Sequence, residues 1–109
     1  MPAPADCRSK EEVRAEIDRL DGELIALLAE RFAYVRRMAE IKTEPADAYD
    51  RRRVADILAK IRDAAAAKGL DPGLAEDLWR KLIDWNIAWE ARAIGRPGGP
   101  GSGVPPRKR

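Results

Sequence analysis

The feature that most constrains the fold is a run of apolar residues at helical spacing between residues 9 and 42, a segment without proline. The steps alternate between four and three residues, which keeps the side chains on one face of an α-helix. Ser9 followed by Glu12 forms a capping box at the start. The pattern predicts one helix of about 33 residues, about 50 Å long. The stripe consists of Val13, Ile17, Leu20, Leu24, Leu27, Arg31, Tyr34, Met38 and Ile41.

This helix is too long for one copy of a 109-residue chain to cover. A compact domain of that size has a radius of gyration of only about 13 Å. Two shorter helices in the same chain cannot bury the whole stripe. The sequence therefore predicts an all-α fold of three helices, one long and N-terminal, in an intertwined homodimer.

Two further helices follow a predicted loop at residues 43–49, which contains a proline. Asp50 is predicted to cap the second helix, and Gly69 to supply its C-terminal stop. Asp71, followed by proline, begins a third helix that runs to about Ile94. The buried face of the second helix is predicted to consist of Val54, Ile57, Leu58 and Ile61.

Composition divides the chain into three segments. Residues 1–8 are predicted to be a flexible N-terminus, residues 9–94 a helical domain, and residues 95–109 a disordered tail in which nine of fifteen residues are Gly or Pro. Four of the 21 cations lie in the tail, so the remainder has fewer cations than its 19 acids. A nucleic-acid-binding domain would carry a basic face on its folded part. We therefore expect no nucleic-acid partner.

Several kinds of chemistry are excluded by residue type. The chain has no histidine and a single cysteine, Cys7, so histidine catalysis, an internal disulfide and a cysteine zinc cluster are ruled out. No metal and no cofactor are expected. No apolar run approaches the roughly 18 residues of a membrane span. We expect a cytoplasmic protein without a membrane partner.

Two cations interrupt the apolar stripe of the first helix. Arg31 and Lys42 are eleven residues apart, about three turns plus 20°, so they lie on one face with Val35 and Met38 as an apolar floor between them. Their Cα atoms would be about 16 Å apart, within reach of a small ligand between them. Arg14 lies about 100° round the helix from Arg31 and could serve a partner's pocket instead.

The third helix adds a polar pair. Asn86 and Glu90 are four residues apart and share a face, flanked by Ile83. Such a pair could face the same cavity as Arg31 and Lys42. The predicted pocket is apolar-walled and cationic and has no nucleophile, which suits a compact dianion and a reaction without covalent catalysis.

These segments resemble the all-α chorismate mutase family over roughly residues 9–94. VRAEIDRLDGELIA followed by LLAERFAYVRRMAEIK is similar to the long first helix of that family. DRRRVADIL and LDPGLAEDLWRKLIDWNIAWE are similar to its second and third helices. The spaced Arg–Arg–Lys set together with the third helix is the specific part of the match.

The resemblance implies a role for each candidate residue. Arg14 from the other subunit and Arg31 would bind the two substrate carboxylates, and Lys42 would donate to the ether oxygen where charge grows. Arg53 would help to line the pocket, and Asn86 would contact a carboxylate. Catalysis would combine conformational restraint with electrostatic stabilisation. The other members of the expected site are Asp50 and Glu90 as substrate-binding residues, with Glu90 also catalytic, and Val35, Met38, Val54 and Ile83 as pocket wall.

Two residues depart from the family pattern. Val54 stands where the family commonly has a glutamate that accepts a hydrogen bond from the ring hydroxyl of chorismate. Glu90 stands where many members have glutamine, and only its protonated form could donate to the ether oxygen. We therefore expect the rate to fall as the pH rises and Glu90 loses its proton, and Glu90→Gln to flatten the profile.

Three functions follow from these observations. The first is a chorismate mutase, an isomerase that converts chorismate to prephenate in aromatic amino acid biosynthesis. The second is an isochorismate-pyruvate lyase that forms salicylate and pyruvate, because that branch of the family also lacks the glutamate and has a similar LIDWNIA-like segment. The third, of another class, is a non-catalytic helical dimer that acts as an interaction or regulatory module.

Overall fold

A computed structural model describes residues 2–95, and the predicted tail from residue 96 onward lies outside the described residues. The chain forms three α-helices in that range: α1 (Lys10–Ile41), α2 (Arg51–Ala67) and α3 (Pro72–Ala93). Two short 3-10 turns, Pro4–Asp6 and Pro45–Ala48, complete the secondary structure, and residues 2–95 contain no strand. The predicted all-α class and the three helices are confirmed.

The start of α1 follows from a local hydrogen-bond exchange. The Glu12 N–H donates to the Ser9 hydroxyl at 3.1 Å, as a capping box requires. The Glu12 carboxylate accepts from the Arg8 N–H at 2.8 Å, one residue earlier than in the standard motif. The exchange satisfies amide groups that have no partner within the helix.

The ends of α2 are also set by nearby residues. The Asp50 carboxylate accepts from the Arg53 N–H at 3.0 Å and caps the first turn. After Ala67 the chain turns through Gly69, whose φ of +78° is the left-handed conformation that glycine tolerates best. The Leu70 and Gly69 amides then donate back to the Ala65 and Ala66 carbonyls at 2.8 and 3.2 Å. This is a Schellman ending, and it confirms the predicted stop.

Helix α3 begins as the Asp71–Pro72 pair predicts. Asp71 Oδ1 accepts from the amides of Gly73 and Leu74 at 2.7 and 3.2 Å. Proline at the first helical position costs no hydrogen bond, because the N–H that it lacks would have no helical partner there. The helix ends at Ala93, one residue before the predicted limit at Ile94.

The segment between α1 and α2 is more ordered than a plain loop. Pro45 opens a 3-10 turn that ends at Ala48, and Ala48 is buried. The turn packs against α3. Proline marks the end of α1 as predicted, but its fixed φ also starts the turn.

The chain divides into two compact units, one ending at Tyr34 and the other beginning at Val35. In the second unit, α2 packs against α3. All buried apolar residues within the described range belong to this unit. They are Ala39, Ala48, Leu58, Ala65, Ala75, Ile83, Trp89 and Ile94.

An ion-pair cluster also joins α2 to α3. Glu76 accepts from Arg62 of α2 at 2.6 Å and from Arg80, one turn along α3, at 2.8–2.9 Å. The hydrogen bonds from Arg62 and then Arg80 lower the pKa of the Glu76 carboxyl. The cluster therefore favours ionised Glu76 in the folded chain.

In the first unit the apolar stripe of α1 is uncovered. Val13, Ile17, Leu20, Leu24 and Leu27 are all classed as exposed, and Leu24 is 55% exposed. A single chain thus leaves open the face that the sequence predicts to be buried against a second copy. The homodimer and its intertwining remain predictions. None of the helices within residues 2–95 is both long and apolar enough to span a membrane.

Candidate active site

Lys42 and Glu90 form the centre of the candidate site. Lys42 directly follows α1, and its N–H continues the helical bonding to the Met38 carbonyl at 2.9 Å. Its Nζ atom donates to Glu90 Oε1 at 2.9 Å. The lysine side chain is 23% exposed and the glutamate side chain 10% exposed. The pair therefore joins the end of α1 to the last turns of α3 in a partly buried position.

The position of Glu90 is unfavourable for a lone carboxylate. Glu90 lies one turn from the C-terminus of α3, where the helix dipole favours cations. A buried carboxylate also loses its hydration and needs a partner to remain charged. The Lys42 ammonium supplies both the cation that the helix dipole favours and the partner that the buried carboxylate needs. An ammonium has three donors, so Lys42 can hold Glu90 and still donate to a ligand.

Asn86 and Ile83 lie on the same side of α3 as Glu90. Asn86 precedes Glu90 by one helical turn, and Ile83 precedes Asn86 by three residues. Asn86 is 6% exposed and Ile83 is buried. This face of α3 therefore presents an apolar side chain, then an amide, then the ion-paired carboxylate.

The first turn of α2 carries three of the predicted residues. The Asp50 carboxylate is engaged as the helix cap, so its observed role is structural. The Arg53 backbone donates to that cap, and the Arg53 side chain belongs to an exposed residue. Val54 is half-buried and presents an apolar surface. The Arg53 guanidinium is thus available to solvent in this structure.

The predicted apolar floor on α1 is partly open. Val35 is half-buried, and Met38 is 47% exposed. Both belong to the same unit as Lys42. Met38 as a pocket wall would need cover from a ligand or a second copy.

The two predicted carboxylate-binding arginines belong to the unit that ends at Tyr34. Arg31 is half-buried, and its Nη1 atom is buried. Arg14 is exposed and lines an open depression near the start of α1 together with Cys7 and Ser9. The meeting of Arg14 and Arg31 around a substrate beside Lys42 stays a prediction.

The direct bond between Lys42 and Glu90 was missed by sequence reasoning. Both residues were expected to face one pocket, but as separate donors to the substrate. The signal that could have predicted this bond was the opposite charge of the two side chains, since both were expected to face the same cavity. Within residues 2–95 no cluster of His, Cys, Asp and Glu has the composition of a metal site.

The site therefore combines a cation, an ion-paired acid and a buried asparagine on a partly apolar helix face. This arrangement can bind an anion and stabilise negative charge that develops on an oxygen. Residues 13–91 match the family model described as chorismate mutase type II, and the chain belongs to that family. The isochorismate pyruvate lyase of Pseudomonas aeruginosa is a relative, 33% identical over 88 residues, which are 81% of this chain and 87% of the lyase.

Proposed function

We propose that the chain catalyses a cofactor-free pericyclic reaction of a chorismate-type dianion. The observation that carries the proposal is the Lys42 ammonium, held by a buried carboxylate at the edge of the α3 face. In both candidate reactions the ether C–O bond to the enolpyruvyl group breaks, and negative charge grows on its oxygen. Lys42 donates to that oxygen, where a preorganised cation has its largest effect on the rate.

The two reactions differ in what the enolpyruvyl group does next. In the Claisen rearrangement its methylene carbon bonds to the ring, and chorismate becomes prephenate. In the lyase reaction the methylene carbon takes a hydrogen from the ring, pyruvate leaves, and isochorismate becomes salicylate. The motif resemblance favours the first reaction.

Two observations support the second reaction. The Pseudomonas aeruginosa relative is an isochorismate pyruvate lyase. Val54, half-buried and apolar, stands where the mutase pattern has a glutamate for the ring hydroxyl of chorismate. A site that lacks the partner of a substrate hydroxyl binds that substrate poorly, because the hydroxyl loses its water without replacement. We therefore place isochorismate cleavage first and the mutase reaction second.

Glu90 has two possible roles in either reaction. As a carboxylate it anchors Lys42, and as a carboxylic acid it donates to the ether oxygen itself. A rate that falls with rising pH and becomes flat in Glu90→Gln supports the donor role. A rate that is independent of pH between about 5 and 8 contradicts the donor role and supports the anchor role.

The proposal includes a homodimer in which Arg14 is donated across the interface. The uncovered apolar stripe of α1 supports it, because monomeric proteins rarely expose continuous apolar surface of that extent. In such a dimer, Arg14 and Arg31 would bind the carboxylates through paired hydrogen bonds. A non-catalytic interaction module is the alternative of another class.

The decisive experiment offers each purified substrate to the protein and follows prephenate and salicylate separately. Salicylate and pyruvate in equal amounts support the lyase reaction, and prephenate supports the mutase reaction. Val54→Glu should raise turnover of chorismate, with Val54→Gln as a matched control without the charge. If neither substrate reacts and a bicyclic transition-state mimic does not bind, the enzyme proposal is wrong and the interaction module takes its place.

A further inference from the structure

The open depression near the start of α1 is lined by three cations and two apolar side chains. The cations are Arg8, Lys10 and Arg14, and the apolar residues are Val13 and Ile17, both of which are exposed. All of its lining residues belong to the first compact unit, and none of them is an acid. Its volume of about 500 Å³ has room for a small organic ligand.

The charges of these three cations are not neutralised by ion pairs. Within residues 2–95 no carboxylate forms an ion pair with any of them. The acids of the first turn of α1, Glu11 and Glu12, do not line the depression. Glu12 instead accepts from the Arg8 N–H at 2.8 Å and donates its own N–H to the Ser9 hydroxyl. The cationic side chains are therefore available to an anion.

Lys10 and Arg14 lie four residues apart on α1 and are neighbours on its surface. Like charges at this spacing repel each other and destabilise a helix. An anion bound beside them would offset that repulsion, and Val13 and Ile17 offer contact to an apolar body. The depression therefore suits a small ligand that joins more than one negative charge to an apolar frame.

We propose that Lys10 is a further substrate-recognition residue, which guides the dianion to the pocket that receives Arg14. The inference rests on the proposed function, in which Arg14 is donated across the dimer interface. A surface that carries Arg14 to a partner's pocket also carries Lys10, since their Cα atoms are only about 6 Å apart along the helix. Arg14 and Arg31 already take the two carboxylates, so Lys10 acts at the entrance and has no part in bond breaking.

The single cysteine of the chain gives a test of this charge that needs no substrate. Cys7 is half-buried and lines the same depression. Its rate of reaction with an aromatic disulfide that carries two carboxylates is divided by its rate with a neutral maleimide. This ratio cancels changes in the thiol itself and reports the local field. A cation about 8 Å from a dianion in water favours its approach about 2- to 5-fold at low salt.

We expect Lys10→Gln to lower this ratio about 2- to 5-fold at low salt and to have no effect at about 0.5 M salt. Lys60→Gln is the matched control, because Lys60 is exposed on α2 and lies outside the depression. It should leave the ratio unchanged. An unchanged ratio in Lys10→Gln, or an equal fall in Lys60→Gln, overturns the proposal.

Kinetics with the substrate that reacts provide the second test. Lys10→Gln should lower kcat/KM about 2- to 5-fold at low salt with kcat unchanged, and Lys10→Arg should restore it. A fall in kcat would contradict the entrance role. If the unmodified chain is active and Lys10→Gln matches it, this inference alone is wrong. If the unmodified chain converts neither substrate, the proposed function is wrong, and the role of Lys10 in it is wrong as well.

Discussion

Removal of Lys42 should destabilise the fold far more than removal of an exposed cation. In Lys42→Met the Glu90 carboxylate, 10% exposed, keeps its burial and loses its partner. Breaking a buried ion pair costs about 3–5 kcal/mol. Because Lys42 itself is 23% exposed, some water already reaches the site, and we expect the low end, about 3 kcal/mol.

Urea unfolding followed by circular dichroism at a fixed protomer concentration measures this cost. A slope of about 1–3 kcal/mol per molar urea converts about 3 kcal/mol into a midpoint shift of at least about 1 M. Arg62→Met is the control, because it removes a cation from the more exposed carboxylate Glu76, which keeps Arg80 as a second partner. Equal midpoint shifts in the two variants would refute the reasoning.

The two partners should also behave differently when each is removed alone. Glu90→Met leaves Lys42, whose long side chain can carry its ammonium out to water. Lys42→Met leaves Glu90, whose shorter side chain on α3 has no such route. We therefore expect Glu90→Met to cost less than Lys42→Met and the double variant to recover most of the loss. A double variant as unstable as Lys42→Met alone would mean that the lysine stabilises through packing and not through charge.

Three further predictions address the rest of the molecule. The lowered pKa of Glu76 means that its pair with Arg62 stabilises the fold above the ordinary pKa of 4.5, and that this stabilisation is lost as the pH falls through the lower pKa of the folded chain. Glu76→Gln lacks the charged pair at every pH, so acid unfolding monitored by circular dichroism should begin at a higher pH in this variant. Gly69→Ala should destabilise the folded chain by about 1 kcal/mol through backbone strain alone, since nothing lies within 4 Å of the added Cβ. Gly22→Ala, in the interior of α1, should instead stabilise the folded chain by about 0.5–1 kcal/mol. Thermal unfolding measures both changes. If the apolar stripe of α1 is the dimer interface, Leu24→Asp should halve the molecular mass measured by light scattering. Ala29→Asp, about 140° round the helix, is the control and should leave the mass unchanged. An unchanged mass in both variants would count against the proposed interface.

Much of the secondary structure could be predicted because its causes are local. The Asp71 cap acts across three residues, and the Gly69 turn needs only a residue that tolerates positive φ. The order within Pro45–Ala48 escaped prediction, because it depends on packing against α3, which is distant along the chain. Periodicity also identified the apolar stripe of α1. It could not identify the surface that covers the stripe, because the periodic pattern describes only the helix that carries it.

The sequence by itself determined the helical class, the helix ends and the placing of Asn86 and Glu90 on one face, since each depends on residues within one or two turns. The tertiary structure alone decided that Lys42 bonds to Glu90, because 48 residues separate them and only the approach of α3 to the end of α1 brings the two charges within 2.9 Å. It also decided that Asn86 is buried, since burial is a property of everything packed around a residue.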